Sequence, residues 1–255
     1  MKVMIIGAGR GLRLMPTTAN TPKCFAEVSG QRILDWTLEA FRANGLDQFC
    51  FIGGYQIDRV RESNPEFTFR HNTNWEHNNI LESLFYAEDL MDEPFVCCYS
   101  DILFTAEIVE RMLECDEEIA LGVDIAWLAR YEHRSEHPPD DAEKVTAVNG
   151  MVTRIDREIE ESEAYGEYIG VAKFSARAAG QLREHYHRCR SQYAGKPWRE
   201  AKVFEKAYKI HLFQEMIEMG ERMVHVDTPG GYIEVDTQQD FDYARKHWTT
   251  KHLGR

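Results

Sequence analysis

Residues 2–16 read KVMIIGAGRGLRLMP, and the pair Pro22-Lys23 follows shortly after them. The apolar run at 3–6 predicts a buried β-strand. The glycine-rich segment directly after it predicts a loop whose backbone N–H groups can approach phosphate oxygens without obstruction from Cβ atoms. Arg13 and Lys23 add positive charge that backbone groups cannot supply. Together these features predict a strand that opens into a phosphate-binding loop.

The composition restricts the kinds of partner. The chain has 255 residues, 43% of them hydrophobic, and a formal net charge of −13. This acidity predicts no nucleic-acid partner, and it makes the basic residues of the loop more informative. The six cysteines form no CxxC pair, which predicts reduced thiols. Since neither a signal-like segment nor an apolar run of about 20 residues occurs, we expect a cytoplasmic protein without a membrane partner. A homodimer stays open.

Strand and helix patterns alternate along the chain. This order predicts an α/β fold with three layers, α/β/α, around a mostly parallel, twisted, Rossmann-like sheet. The predicted strands are 3–6, 49–52, 67–69, 95–99, 170–174, 224–226 and 232–235. The predicted helices are 33–41, 80–90, 176–190, 203–218 and 237–247.

One segment carries a hairpin pattern. Residues 145–148 and 151–155 flank Asn149-Gly150, which predicts a β-hairpin with a type I′ turn. The polar segment 130–143 contains Pro138-Pro139 and is expected to be a loop. We expect the hairpin and the second half of the chain to form a smaller, substrate-side layer on the same sheet.

Three glycine-rich templates compete at the loop. The dinucleotide-binding fingerprint requires a glycine where Leu12 stands, and a P-loop requires Gly-Lys-Ser/Thr, which is absent. The spacing that fits is Gly-x-Gly-x-Arg with Leu-x-Pro and Pro-Lys behind it, at Gly9, Gly11, Arg13, Leu14, Pro16, Pro22 and Lys23. This pattern resembles the signature of the nucleotidyltransferases that activate sugar phosphates and related small phosphates. A plain strand-turn-helix start is the alternative.

The resemblance implies a fold of the nucleotide-diphospho-sugar transferase type. It also implies that a phosphate oxygen attacks the α-phosphorus of an NTP, so that catalysis depends on positioning and charge neutralisation rather than on a strong base. Arg13 and Lys23 are the predicted catalytic residues, with Arg13 on the β- and γ-phosphates and Lys23 on the α-phosphate. Arg10 is either a phosphate contact or a solvated loop arginine. The predicted nucleotide-binding residues are Ala8, Gly9, Gly11, Arg13, Lys23, Asn79 and Ser83.

Two aspartates follow predicted strands. Asp101 comes after the strand at 95–99, and Asp236 comes after the strand at 232–235. In the resembling family an aspartate at each of these places binds the metal, so the resemblance implies Mg²⁺ at Asp101 and Asp236. Glu234 is a less favoured carboxylate nearby. A helix N-cap is the alternative role, and it is strongest for Asp236, although Thr237 could also cap.

Residues 74–84 read NWEHNNILESL. They resemble a segment of the phosphocholine cytidylyltransferases of bacterial surface decoration and of the cytidylyltransferases that act on 2-aminoethylphosphonate. The segments 166–170 and 230–236 also resemble these cytidylyltransferases, whereas residues 113–163 resemble them only weakly. The resemblance places Asn79 and Ser83 near the base, where an asparagine amide can meet the edge of cytosine. Capping of the helix at 80–90 by its preceding asparagines is the alternative.

The acceptor side is expected beside the hairpin. A cationic amine on the acceptor favours a carboxylate and aromatic rings. Those residue types occur at Trp127, Tyr165, Glu167 and Tyr168, and aromatic packing under a loop is the alternative. We predict one domain over 1–255, with a nucleotide-binding half at 1–112 and an acceptor-binding half with the C-terminal helices at 113–255.

The resemblance therefore implies a Mg²⁺-dependent cytidylyltransferase. It would transfer CMP from CTP to a phosphocholine-like or 2-aminoethylphosphonate-like acceptor and release pyrophosphate. A hexose-1-phosphate nucleotidylyltransferase that uses UTP, dTTP or GTP is the second enzyme hypothesis. A catalytically inactive nucleotide-binding sensor is the third hypothesis, and the presence of Arg13, Lys23, Asp101 and Asp236 argues against it.

Overall fold

The computed structural model describes residues 1–132, 134–136 and 138–249. Its strands within these residues are β1 (Lys2–Gly7), β2 (Glu27–Val28), β3 (Gln31–Arg32), β4 (Phe49–Gly53), β5 (Thr68–His71), β6 (Phe95–Tyr99), β7 (Ile102–Phe104), β8 (Ile119–Asp124), β9 (Lys144–Val148), β10 (Met151–Asp156), β11 (Gly166–Phe174), β12 (Val224–Thr228) and β13 (Tyr232–Glu234). Its helices are α1 (Ile33–Arg42), α2 (Ile57–Ser63), α3 (Ile80–Phe85), α4 (Ala106–Glu114), α5 (Trp127–Tyr131), α6 (Ala176–Tyr193), α7 (Lys209–Glu218) and α8 (Gln238–His247). Short 3₁₀ turns occur at Leu12–Leu14, Lys23–Phe25, Glu88–Leu90, Pro139–Asp141 and Phe204–Lys206.

Nine strands form the central sheet, in the order β5-β4-β1-β6-β11-β8-β12-β10-β9. Strand β1 lies between β4 and β6 and runs parallel to both. Its side chains alternate between two cores. Met4 and Ile6 pack with α3, α6 and α7, whereas Val3 and Ile5 pack with α1 and α4. Burial on both faces explains the continuous apolar run of this strand, and helices on both faces make the three layers.

The second half of the sheet changes direction. Strand β11 is antiparallel to both β6 and β8, so the sheet is mixed, with its parallel part around β1. The hairpin turns at Asn149-Gly150, where φ values of 51° and 80° suit a type I′ turn. It belongs to the central sheet, because β10 pairs with β12 and β9 pairs with both β10 and β11. The predicted α/β fold class is confirmed, whereas the division between residues 112 and 113 stays a prediction.

Two predicted helices are shorter than the apolar periodicity indicated. The helix predicted at 80–90 ends at Phe85 and gives way to a 3₁₀ turn. The helix predicted at 203–218 begins only at Lys209. The segment before it stays non-helical because its carbonyls accept from the N-terminus of α3, from Asn79 N to Glu205 O at 2.9 Å and from Leu81 N to Ala207 O at 3.4 Å. Tertiary hydrogen bonds thus override local periodicity there.

Several elements carry no strong sequence signal. Helix α2 buries only Ile57 and Val60, which is too little to show a helical period. Helix α5 and a 3₁₀ turn occupy parts of the segment 127–141, of which residues 130–143 were predicted as a loop. Residues 133 and 137 of that loop lie outside the described residues. None of the described helices is long and apolar enough to cross a membrane.

The C-terminal helix α8 and the residue after it pack against the loop that follows β1. Phe241, Ala244 and Trp248 pack with Leu14 and Trp36 in a separate apolar cluster. The Trp36 and Trp248 rings meet edge to face, with centroids 6.2 Å apart. The two ends of the described chain therefore support the same wall of the molecule.

A two-stranded sheet completes this arrangement. Strands β7 and β13 pair antiparallel, with Glu234 opposite Ile102. One step further along this pairing, Val235 N donates to Asp101 O at 2.9 Å. Asp101 and Asp236 are distant in sequence, and this pairing brings their backbones together.

Candidate active site

A cavity of about 490 Å³ opens at the carboxyl ends of β1 and β6. This is the edge at which parallel α/β sheets place their ligands. Its wall contains residues of the glycine-rich loop together with Lys23, Asp101 and Asp236. The structure thus brings the predicted phosphate loop and the two predicted metal aspartates to one site.

Gly11 lets the loop pass over the stem of Lys23. Its φ of 68° lies in the left-handed region that favours glycine, and an added Cβ would lie 3.1 Å from the Cβ and Cδ atoms of Lys23. The carbonyl of Gly11 accepts from Thr18 Oγ1 at 2.8 Å and from Leu14 N at 3.1 Å. The loop is therefore held in shape before any ligand binds.

The other side of the loop is held from β4. Tyr55 N donates to Ala8 O at 2.9 Å. Gly54 permits this approach, because a Cβ there would lie 2.7 Å from Ala8 O and 2.6 Å from Trp75 side-chain atoms. Gly9 differs, since a Cβ added to it would meet no described atom within 4 Å. Ala8 and Gly9 both line the cavity, as their predicted role in nucleotide binding requires.

Lys23 lies between the two aspartates. Its Nζ contacts Asp101 Oδ2 at 2.7 Å and also contacts Asp236 Oδ1. Burial lowers the pKa of Lys23, but the charges of Asp101 and Asp236 outweigh that effect and raise it above its usual value. We call Asp101 and Asp236 the carboxylate pair. Lys23 is only 9% exposed, so its ammonium is a fixed positive charge at the cavity wall.

Arg13 reaches the same carboxylate pair from the loop. Its Nη2 lies 2.7 Å from Asp236 Oδ2, and its Nη1 lies 3.3 Å from Asp141 Oδ2. More than half of its side chain is exposed, so it can change partners when an anion enters. Arg10 lines the cavity with its guanidinium 4.9 Å from the centroid of the Tyr55 ring, so it is not a freely solvated arginine.

Asp236 does not cap the helix that follows it. Thr237 is the N-cap of α8, and its hydroxyl accepts from Asp240 N at 3.2 Å. Asp240 in turn accepts from Thr237 N at 2.8 Å and from Asp236 N at 3.1 Å. This capping box leaves the Asp236 carboxylate to Lys23 and Arg13. The capping role considered for Asp236 thus belongs to Thr237.

The carboxylate pair suits a magnesium ion that shares its ligands with a substrate. Among the described residues, no group of three or more His, Cys, Asp and Glu side chains is arranged to hold a metal. Mg²⁺ needs no such cage, because it takes one or two carboxylates, phosphate oxygens and water. Asp101 and Asp236 fit that requirement, since both carboxylates contact one ammonium at the cavity wall.

Asn79 and Ser83, the predicted base contacts, both line the cavity. They differ in whether their side chains are free to hydrogen-bond a ligand. Ser83 Oγ is already engaged, because it accepts from Asn72 Nδ2 at 2.9 Å and donates to Asn79 O at 3.0 Å. Asn78 and Asn72 exchange two side-chain hydrogen bonds of 2.8 and 3.0 Å. Asn79 precedes α3 without a side-chain cap and donates from Nδ2 to Lys206 O at 3.1 Å. Its Oδ1 accepts no hydrogen bond from the described residues.

The four predicted acceptor residues divide into two groups. Glu167 and Tyr168 line the cavity. Trp127 and Tyr165 do not line it: Trp127 packs in a small cluster with Tyr131, and Tyr165 OH donates to Asp227 Oδ2 at 2.6 Å on the surface. The packing alternative thus describes Trp127, whereas Tyr165 is an exposed residue outside the cavity.

Sequence reasoning missed further residues of the cavity wall, namely Tyr99, Asp141, Glu143, Arg157, Tyr208 and Tyr232. They come from separate segments and follow no motif spacing. The one available signal was local, because Tyr99 directly precedes the Ser100-Asp101 end of a predicted buried strand.

Glu143 is a buried carboxyl of this wall. It is 9% exposed, and Tyr99 OH donates to its Oε2 at 3.0 Å. Burial raises the pKa of Glu143 to about 7, although Arg157, Lys209 and Tyr99 act in the opposite direction. A cavity carboxyl that titrates near neutral pH is typical of functional sites.

Known proteins share this architecture. A CTP:phosphoglutamine cytidylyltransferase of Campylobacter jejuni is 27% identical over 252 residues, which cover 95% of this chain and 98% of the relative. The CTP:phosphocholine cytidylyltransferase structure of Streptococcus pneumoniae superposes with a TM-score of 0.73 at 18% identity, over 97% of this chain and 99% of that chain. The inositol-1-phosphate CTP transferase of T. maritima has a TM-score of 0.72 at 19% identity, over 96% and 95%.

A family assignment agrees with the site. Residues 3–195, which include the loop, Lys23 and Asp101, match the MobA-like NTP transferase domain. The nucleotidyltransferase resemblance found in the sequence is thereby confirmed. The chain belongs to the MobA-like NTP transferase family and is a nucleotidyltransferase.

Proposed function

We propose that the protein transfers CMP from CTP to a small phosphorylated or phosphonate acceptor and releases pyrophosphate. One observation carries the proposal: the buried ammonium of Lys23 and the carboxylate pair meet beside an open glycine-rich loop. This arrangement supplies positive charge and metal-ligating oxygens at one wall, as nucleotidyl transfer requires.

The donor triphosphate would lie along the loop. Gly9 presents open space, and Arg13 is exposed enough to leave Asp141 and follow the β- and γ-phosphates. Lys23 is then placed to neutralise charge on the α-phosphate. An acceptor phosphate oxygen forms the new bond to the α-phosphorus while the bond to the bridging oxygen breaks, and its electron pair leaves with pyrophosphate. The attacking oxygen is already anionic, so no side chain has to remove a proton.

Mg²⁺ is part of this proposal. Asp101 and Asp236 would hold it. When bound, the ion supplies positive charge that offsets the crowding of phosphate oxygens around the reacting centre. The charges of Asp101 and Asp236 raise the pKa of Lys23 in this structure, and phosphate oxygens of the substrate would take over that role when the two carboxylates hold the ion.

The preference for CTP rests on two supports. The relatives from Campylobacter, Streptococcus and T. maritima all carry CTP or cytidylyl transfer in their names. In this chain, Asn79 lines the cavity with its Oδ1 open to a donor. The amino group of cytosine is such a donor, whereas uracil presents a carbonyl oxygen at the same ring position. Asn79 would thus favour CTP over UTP.

A panel of nucleotides tests the proposal. Pyrophosphate release would be measured with CTP, UTP, dTTP, GTP and ATP against phosphocholine, 2-aminoethylphosphonate, amino-acid phosphates and hexose 1-phosphates. We expect turnover with CTP and an amine-bearing acceptor, and its loss in Lys23→Ala. A preference for UTP, dTTP or GTP with a hexose 1-phosphate would instead identify a hexose-1-phosphate nucleotidylyltransferase. Tight CTP binding without product from any acceptor would instead support a sensor.

A further inference from the structure

One cavity carboxylate has no counter-ion. Glu143 is nearly buried, and no Lys, Arg or His of the described residues forms an ion pair with it. Glu167, another buried carboxylate of this wall, is satisfied by Arg130 and by Tyr131 OH at 2.6 Å. A buried charge without a partner is costly unless a ligand supplies the opposite charge. This wall therefore has a place for one cationic group of the acceptor.

The aromatic rings around Glu143 already have cations of the protein over them. Lys209 Nζ lies 4.1 Å from the centroid of the Tyr99 ring and 3.1 Å from Tyr168 OH. The Arg157 guanidinium lies 3.9 Å from the centroid of the Tyr208 ring. A quaternary ammonium offers no N–H and depends on free ring faces. This wall would therefore bind it weakly. A primary ammonium, which donates hydrogen bonds to a carboxylate, suits it better.

Tyr232 also lines the cavity and has a cation of the protein over its ring. Arg130 lies 4.5 Å from the centroid of its ring. Tyr168 and Tyr232 are only 2% and 4% exposed, so neither offers an open face to a ligand. The tyrosines shape the cavity and hold the protein's own cations, and recognition of a bound cation falls to Glu143.

Arg157 stands beside Glu143 with unused donors. Of the five N–H groups of its guanidinium, the described residues accept from one, through Nη1 to Asp141 Oδ1 at 2.9 Å. Its Nε is buried and has no hydrogen-bond partner in the described chain. The charge of Arg157 acts on Glu143, yet these two described side chains form no ion pair. A guanidinium held over a ring with N–H donors to spare is suited to hold a carboxylate through two hydrogen bonds.

We propose that the acceptor carries an α-amino-acid head, with its ammonium bound by Glu143 and its carboxylate bound by Arg157. In such a head the two charges sit on one carbon. Glu143 would pair with the ammonium, and Arg157, which contacts Asp141 at 2.9 Å and Glu200 at 4.0 Å, keeps N–H donors for the carboxylate. The inference rests on the proposed nucleotidyl transfer and names the acceptor class for it. The phosphoryl group of the same molecule would point to Lys23 and the carboxylate pair.

Acceptors that differ by one group test the inference. O-phosphoserine, O-phosphohomoserine and phosphoglutamine carry the full head, whereas phosphoethanolamine and aminopropyl phosphate lack the carboxylate and phosphocholine lacks N–H donors. We expect kcat/KM with CTP to be about tenfold to a hundredfold higher for the best amino-acid phosphate than for any acceptor without the carboxylate. Equal or better turnover of phosphocholine or phosphoethanolamine would overturn the inference while leaving nucleotidyl transfer intact. Failure of every acceptor, hexose phosphates included, would overturn the proposed function itself.

Variants of Arg157 give a readout that structural damage does not mimic. Arg157→Met should raise KM for the amino-acid phosphates and lower their kcat/KM far more than that of the acceptors without a carboxylate. Arg157→Lys, which keeps the charge but loses the planar fork, should lose part of the same preference. Arg154→Met, on the strand that directly precedes Arg157 but outside the cavity wall, is the matched control. Equal losses for both acceptor classes in Arg157→Met would contradict carboxylate recognition.

Discussion

Replacing Glu143 with glutamine should remove a pH-dependent loss of stability. Burial raises the pKa of this carboxyl from 4.5 to about 7, with Arg157, Lys209 and the Tyr99 hydroxyl opposing the rise and Glu167 adding to it. The folded protein therefore binds this proton more tightly than the unfolded chain does. The contribution of protonated Glu143 to the free energy of unfolding is complete below pH 4.5, and it is lost as the pH rises to about 7.

The size of the effect follows from the same two values. At about 1.4 kcal/mol for each pH unit between 4.5 and about 7, ionisation of Glu143 costs the folded state about 3 kcal/mol. Glu143→Gln does not ionise, so its stability relative to the wild type should increase by about this amount between pH 4.5 and a pH above 7.

Urea denaturation at a series of pH values measures this difference. Other carboxyls titrate in both proteins and cancel when the free energies of unfolding are subtracted. Glu163→Gln, at an exposed position, is the control and should show no such trend. Parallel stability profiles for the wild type and Glu143→Gln would refute the description of Glu143 as a buried carboxyl without a counter-ion.

Four further substitutions test other parts of the site. Lys23→Ala should lower kcat for pyrophosphate release by about a hundredfold or more, because a fixed charge at the reacting phosphate is lost. Gly9→Ala should keep wild-type thermal stability and raise KM for CTP, since its methyl group enters open space at the cavity wall. Gly54→Ala should destabilise the fold by about 1–3 kcal/mol, because its methyl group would lie 2.7 Å from a backbone carbonyl. Thr237→Ala should cost about 1 kcal/mol through loss of the helix cap.

Each of these outcomes has a direct contrary. Near-wild-type turnover of Lys23→Ala would remove it from catalysis. A lower melting temperature for Gly9→Ala than for Gly54→Ala would contradict the assignment of Gly9 as the glycine that faces the open cavity. An unchanged melt for Thr237→Ala would return the capping role to its neighbour Asp236.

The local parts of the site were predictable from the sequence. The loop and its basic residues lie within one short stretch, and β1 ends where the loop begins. Asp101 and Asp236 were placed by the strands that precede them. The structure adds the reason for their meeting, the antiparallel pairing of β7 with β13. Their roles at the metal stay predictions until a ligand is observed.

The acceptor wall was not predictable in the same way. Tyr99, Glu143 and Arg157 come from a strand end, a loop and a hairpin end, and only the tertiary fold puts them in one cavity. Isolated residues of common types form no sequence motif, so no spacing in the sequence could identify them. Trp127 was chosen for its chemistry alone, and at the start of α5 it packs with Tyr131 and Ala142 because the same ring also suits a core. The shortened α7 has a similar cause, since hydrogen bonds to α3 decided its start.

The central claim is transfer of the α-phosphate with its nucleoside. Incubation of the protein with CTP labelled at the α-phosphate, Mg²⁺ and the acceptor panel measures it directly. The account predicts that the label appears in a CMP–acceptor product and that the released pyrophosphate is unlabelled, with loss of both in Lys23→Ala. Label recovered only as free CMP, or acceptor labelled instead from the γ-phosphate of CTP, would contradict it.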